Sequence, residues 1–289
     1  GALILMSRGA FHAVGGWNEN EFAIAHSDTD LCLKIWEAGL RCVYTPYATL
    51  THIGHVSIAQ EELSDKAKQI QRKEKGEISL LRRWPKEIAE DPHWPYAIVR
   101  SVYHDSQEYF RVHAGRPFPL GAGRDVLIVT HELTQSGAPA VVREMARALV
   151  KNGDFVVIMS PEDGPMRASL NEDGITVIID ELLFSEHPSV KRFCNSFDIV
   201  IANTIVTWPL VKQIIGSVEL KWYIHESNFL HDYIKLLDGW YEGQLKSGND
   251  FFVRMDIIIN NNGERFRDWC IWPHNGNKMD QFIGRNCLI

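Results

Sequence analysis

Between residues 126 and 224 short apolar runs alternate with helical stripes, and few architectures can satisfy such a pattern. The runs are Val126 to Val129, Phe155 to Met159, Val177 to Ile179, Ile199 to Ala202 and Trp222 to Ile224. Each is too short for a buried helix and too continuously apolar for a sheet with one wet face, so each predicts a strand covered on both sides. Between them, Val142, Met145, Ala146 and Leu149 form a helix stripe, with Pro139 in its first turn and Gly153 past its end. Further helices are expected at about 166 to 173, 188 to 195 and 209 to 215. Strand and helix in strict alternation predict a Rossmann-like, doubly wound parallel sheet. Polar residues follow the strands: His131 and Glu132, Ser160, Asn203 and Thr204, His225 and Glu226. Ligands of open α/β sheets bind at the carboxyl ends of the strands, so this set marks a cleft.

The loop Ser136-Gly137-Ala138-Pro139 opens the first of these helices, where unpaired backbone amides can face phosphates or an acceptor. It is not a G-x-G-x-x-G signature, which argues against a redox dinucleotide site. The segment THELTQSGAPAVVREMARALVKNGDFVVIMSPEDGPMRASL (130 to 170), with IANTIVTWP (201 to 209) and KWYIHES (221 to 227), resembles the N-terminal Rossmann-like domain of family-4 glycosyltransferases, the GT-B fold. The resemblance covers about 124 to 228. It implies a sugar-transfer cleft lined by Gly137, Ala138, Asn203, His225 and Glu226, with His225 near the donor or acceptor sugar and no cofactor. The Glu-x7-Glu segment of that family and its second Rossmann domain are not found, so an acceptor-side half is expected. Residues 229 to 289 are poorly defined, apart from an expected strand at Ile257 to Ile259.

The first third is organised around HSDTDLCLKIWEAGLRCVYTP (26 to 46). Leu31, Ile35 and Ala38 recur at helical spacing, Gly39 supplies a left-handed stop, and Val43 and Tyr44 start a strand. Asp28 and Asp30 then sit at a positively polarised helix start. Ser27 as N-cap with Asp30 as its capping-box partner would account for one carboxylate by structure alone. Upstream lies SRGAFHAVGGWNENEF (7 to 22) and downstream YATLTHIGHVS (47 to 57). Together these segments resemble the C-terminal half of a family-2 glycosyltransferase domain of the GT-A fold, over roughly residues 2 to 112.

That resemblance implies Asp28 as the general base that takes the proton of an acceptor hydroxyl, a task that needs hydrogen-bond reach and a pKa below working pH. Arg8, Gly15, Gly16, Trp17 and Asp30 would line the substrate. His52, at the place of a family histidine, would ligate a divalent cation (Mn or Mg) or touch the donor diphosphate. Hard cations also want carboxylates, which the family supplies from an Asp-x-Asp motif in its preceding half. Ser27 stands where the family has Glu. Gly1 to Met6 read as an apolar strand with no start methionine, so a fragment of a longer protein is expected, with a truncated GT-A-like α/β domain at 1–112, a linker at 113–124 and a GT-B N-terminal domain at 125–289.

The linker HAGRPFPLGAGR holds three glycines and two prolines. Before it, Glu61 to Trp84 is charge-rich, acids early and bases late, as an exposed helix aligned with its dipole would be. DPHWPYAIVR (91 to 100) resembles the tail of such domains in multi-domain bacterial glycosyltransferases. The formal charge of −7 and the lack of a basic stripe with interleaved aromatics argue against nucleic acid as a partner. Five cysteines without a C-x-x-C pair suggest a reducing compartment and no zinc site. The expected partners are a nucleotide-sugar donor and a saccharide or lipid-linked acceptor, in the cytoplasm or at the inner membrane face, during synthesis of a bacterial surface polysaccharide. The competing expectation is a scaffold that binds nucleotide or sugar without catalysis.

Overall fold

The computed structural model describes residues 3–22, 25–51, 66–90, 110–223, 253–255 and 269–271. The chain divides into two compact units, one from Gly1–Pro85 with Pro117–Gly121 and the other from Lys86–Arg116 with Ala122–Ile289.

The described part of unit 1 is helical. Helix α1 (Arg8–Ala13) begins at Ser7, whose hydroxyl accepts from the Ala10 amide at 3.1 Å, a conventional N-cap. It ends on Gly15 and Gly16, both at positive φ, where the Gly16 amide reaches back to the Phe11 carbonyl at 2.9 Å. Helix α2 (Ser27–Glu37) buries Leu31 and Ile35, one turn apart. Helix α3 (Lys66–Arg83) follows, and Ile78, Leu81 and Trp84 join Phe22, Leu31 and Ile35 among the buried apolar side chains of this unit; helix α4 (Pro85–Ala89) begins at Pro85 and belongs otherwise to the second unit.

Three expectations are corrected here. Ser27 is not the N-cap of α2; that place belongs to His26, at φ 65°, and no side chain caps the helix. The capping box fails because the Asp30 carboxylate turns inward, accepting from Trp84 Nε1 at 2.9 Å and pairing with Lys34 Nζ at 3.0 Å. The strands expected at Gly1 to Met6 and from Val43 do not form among the described residues, and Leu5, Val43 and Tyr44 stand 96%, 83% and 87% exposed. Apolar runs become strands only with a ladder to join, and the described part of unit 1 offers none.

Among the described residues, unit 2 is built on an eight-stranded sheet. Its strands are β1 (Phe110–His113), β2 (Asp125–Val129), β3 (Phe155–Ser160), β4 (Thr176–Asp180), β5 (Ile199–Asn203), β6 (Glu219–Tyr223), β7 (Val253–Met255) and β8 (Trp269–Ile271), in the order β1-β4-β3-β2-β5-β6-β7-β8. Strands β2 to β7 run parallel, while β1 and β8 are antiparallel edges. Helices α5 (Gly137–Lys151), α6 (Met166–Glu172), α7 (Pro188–Cys194) and α8 (Trp208–Ile214) make the crossovers, with a 3-10 turn at Ile205–Thr207 before α8.

Strands β2 to β5 are buried at every position, so alternate residues feed two cores. Val126, Ile128, Val156, Ile158, Val177 and Ile179 pack with Val142 and Ala146 of α5 and Leu170 of α6 on one face. Right-handed crossovers require α7 and α8, on the return path from β4 through β5 to β6, to cover the other. Their buried residues Val190, Cys194, Leu210 and Ile214 supply that layer. The expected strands and helices between 126 and 223 are all present; the Ile257 to Ile259 expectation lies outside the described residues.

The boundary expected at residue 112 falls inside β1, which pairs Phe110 with Asp180 and His113 with Val177. The segment read as a linker is also tied down. The Gly115 amide donates to Thr176 Oγ1 at 3.1 Å, and a Cβ on Gly115 would stand 2.3 Å from the Gly174 carbonyl oxygen. Within unit 1, the Phe118 amide donates to the Arg82 carbonyl at 2.8 Å.

Candidate active site

Chain direction reverses at β2. From β2 the sheet grows outward through β3 to β4, then returns to place β5 on the other side of β2. The loops leaving β2 and β5 therefore diverge and leave a crevice at the strands' carboxyl ends. Thr130 to Ser136 and Asn203 to Thr207 form its two sides.

Glu132 organises the first loop. Its Oε1 accepts from Thr134 Oγ1 at 2.7 Å and Ser136 Oγ at 2.9 Å. These two bonds, Thr134 first, hold its carboxyl below the usual range, with a smaller contribution from His131. His131 Nε2 lies 3.7 Å from the same oxygen. The hydroxyl of Ser136, the N-cap of α5, is thus spent on Glu132, and no side chain caps the helix start. The space in front of Gly137 is open, with nothing within 4 Å of a Cβ built there. No side chain thus pairs with the first-turn amides of α5.

The second side is held by Thr204. Its Oγ1 meets His131 Nδ1 at 3.1 Å, joining the ends of β5 and β2. Its backbone lies at φ 68° and ψ 164°, a region that side-chain-bearing residues rarely enter. The neighbouring Asn203, fully buried, donates from Nδ2 to the Ala138 carbonyl at 3.4 Å, linking β5 to the start of α5. Ser160 turns away to its own loop, donating to the Glu162 carbonyl at 2.8 Å.

In unit 1, Asp28 is half-buried in the first turn of α2 and accepts from the Thr29 amide at 3.0 Å. Asp30 is 2% exposed with its oxygens on Trp84 and Lys34, which removes it from an acceptor-contact role. Lys34 also donates to the Gly16 carbonyl at 2.6 Å, so Gly15 and Gly16 serve to end α1 and dock it on α2. Trp17 is 43% exposed and meets Phe11 edge to face, and Arg8 Nε donates to His12 Nε2 at 3.3 Å. Among the described residues no three His, Cys, Asp or Glu side chains converge as metal ligands. His52, His225 and Glu226 lie outside the described residues.

Sequence reasoning named the strand-end residues but missed the hydroxyls that set Glu132. Their signal was present, since Thr134 and Ser136 follow Glu132 at two and four residues in a loop. The strained backbone of Thr204 had no signal, because nothing about a threonine after a strand announces positive φ.

Residues 122–238 match the model of glycosyl-transferase family 4. The matched segment takes in β2 to β6 and every crevice residue described above. It supports a GT-B glycosyltransferase domain and, with it, a transferase. An uncharacterized protein of Sinorhizobium fredii (strain NBRC 101917 / NGR234), y4gI, is 39% identical over 92 residues. That likeness covers 32% of this chain and 10% of y4gI. No solved structure matches. Among the described residues no helix is long and apolar enough to cross a membrane.

Proposed function

We propose that the family-4 segment is the acceptor-side half of a glycosyltransferase, moving a sugar from a nucleotide-sugar donor to a saccharide or lipid-linked acceptor. One observation carries this: a crevice at the topological switch point, inside the matched segment, sets an uncapped helix start beside a hydroxyl-held carboxylate and an imidazole. The amides of Gly137 and Ala138 would meet the donor diphosphate or an acceptor oxygen, because the helix dipole favours negative charge there. His131 and Glu132 would read sugar hydroxyls. Donors held in place by the fold would stabilise charge developing on the departing diphosphate without reorganising. His225 and Glu226 complete the proposed lining on sequence grounds.

For unit 1 the proposal is narrower. Asp28 would take the proton of an acceptor hydroxyl as the base of a family-2-like domain, at a helix start that favours its ionised form. The described residues offer no ligand set for Mn or Mg, and His52, the ligand proposed on sequence grounds, lies outside them. Bacterial surface polysaccharide synthesis at the inner membrane face is the proposed setting.

Gly137→Asp tests the main proposal. An acid in the first turn suits the helix dipole and the site is open, so folding stability is expected to hold or rise slightly. Binding of a nucleoside diphosphate, read by titration calorimetry, is expected to weaken by about tenfold or more as two like charges meet. Unaltered diphosphate binding in a stably folded Gly137→Asp protein would remove the helix start from the site.

A further inference from the structure

We infer that Thr204 is a positioning residue that fixes His131 in its Nε2–H tautomer, so that His131 and Glu132 present one donor and one acceptor side by side to a sugar hydroxyl. The second clause rests on the crevice being a saccharide site; the first does not.

Thr204 is fully buried, and its backbone is pinned on three sides. Its amide donates to the Tyr223 carbonyl at 2.7 Å, and its own carbonyl accepts from Trp222 Nε1 and Thr207 Oγ1, each at 2.8 Å. Those bonds hold it at φ 68°, where a β-branched residue is strained. A glycine would occupy the position at ease but would bring no hydroxyl.

That hydroxyl has one hydrogen, and among the described residues its hydrogen-bond partner is His131 Nδ1. Were the ring to donate from Nδ1, the buried hydroxyl hydrogen would have no acceptor among the described residues, a costly arrangement. With Thr204 donating to Nδ1, both groups are satisfied and the ring hydrogen sits on Nε2. Nε2 faces Glu132 Oε1 across 3.7 Å, which is too long for a hydrogen bond but favourable for a proton on that nitrogen. The N–H is therefore aimed beside the carboxylate without being consumed by it. Thr134 and Ser136 both bond Oε1, which leaves Oε2 to a ligand. A sugar hydroxyl both gives and takes a hydrogen bond, and this pair answers both needs.

The test uses the full 289-residue chain labelled with ¹⁵N-histidine, with His131→Gln identifying the signals of His131 among the 12 histidines. Ring nitrogen shifts are read above about pH 8, where an imidazole is neutral. Wild type and Thr204→Ser are expected to show a hydrogen-bonded, unprotonated Nδ1, and Thr204→Val is expected to lose that hydrogen-bond shift. A proton on Nδ1 in wild type, or an unchanged Thr204→Val spectrum, overturns the positioning role. In a second arm, a panel of methyl hexosides is titrated into the same proteins. Thr204→Val should weaken the best of them about three- to tenfold, and Thr204→Ser should restore it. Absence of hexoside binding by wild type overturns the hydroxyl-reading pair and the saccharide crevice, while the ring nitrogen shifts still decide what Thr204 does.

Discussion

A Cβ on Gly164 would stand 2.4 Å from the carbonyl oxygen of Leu133, so the loop after β3 lies directly against the loop that carries His131 and Glu132. The Met166 amide, at the start of α6, donates to that same oxygen at 3.0 Å. The crevice loop is thus braced by a neighbour that tolerates no side chain. Gly164→Ala is expected to cost about 1–3 kcal/mol by overpacking, measured by urea unfolding. A midpoint equal to wild type would show that the two loops can part freely.

Glu132 contributes a pH dependence of known sign. Its folded pKa is depressed by the Thr134 and Ser136 hydroxyls, so its stabilisation is complete above the ordinary carboxylate range. It is lost as pH falls through the lowered folded value. Unfolding midpoints of wild type and Glu132→Gln should therefore converge as pH is taken from 7 toward about 3. A constant gap across that range would refute the account of the carboxylate's partners.

Asp154 closes the start of β2. Its Oδ1 accepts from the Arg124 amide at 3.1 Å and Nε at 3.2 Å, and its Oδ2 from Nη2 at 2.9 Å. Arg124→Lys cannot reproduce that two-pronged contact. Asp154→Ala is expected to cost about 2 kcal/mol, because the Arg124 amide loses its acceptor. A double-mutant cycle should give a coupling of about 1 kcal/mol; a coupling near zero would reduce the pair to a surface contact.

Unit 1 is expected to depend on Asp30 for its fold. Asp30→Ala leaves Trp84 Nε1 and the Lys34 ammonium without their shared acceptor. The loss should be about 3 kcal/mol, as for other broken buried pairs, and Asp30→Asn, which can still accept from Trp84, should lose less. Equal losses in the two variants would contradict the role given to the indole hydrogen bond.

The sheet was legible because its central strands, β2 to β5, are buried on both faces, and an unbroken run such as Val126 to Val129 has few other uses. Gly153, at φ 91°, ended α5 where a helix stop was expected. Unit 1 was less legible for a related reason. Val43 and Tyr44 carry strand-forming side chains, yet β propensity describes fit to a neighbouring strand, which the described part of this unit lacks. Asp30 looked like a cap because spacing along the chain was visible and Trp84, 54 residues away, was not. At the crevice, the side chains could be named from sequence but their divisions of labour could not. Asn203 and Ser160 turn to backbone carbonyls, whereas His131 is set by a threonine 73 residues distant.

Sugar and diphosphate are proposed to meet the carboxyl ends of β2 and β5. Backbone amide mapping by NMR, with nucleotide sugars and hexosides titrated into the labelled chain, tests it most directly. Shift changes are expected to concentrate at Thr130 to Ala138 and Asn203 to Thr207. Changes confined to the amino ends of those strands, or none with any ligand of either class, would contradict it.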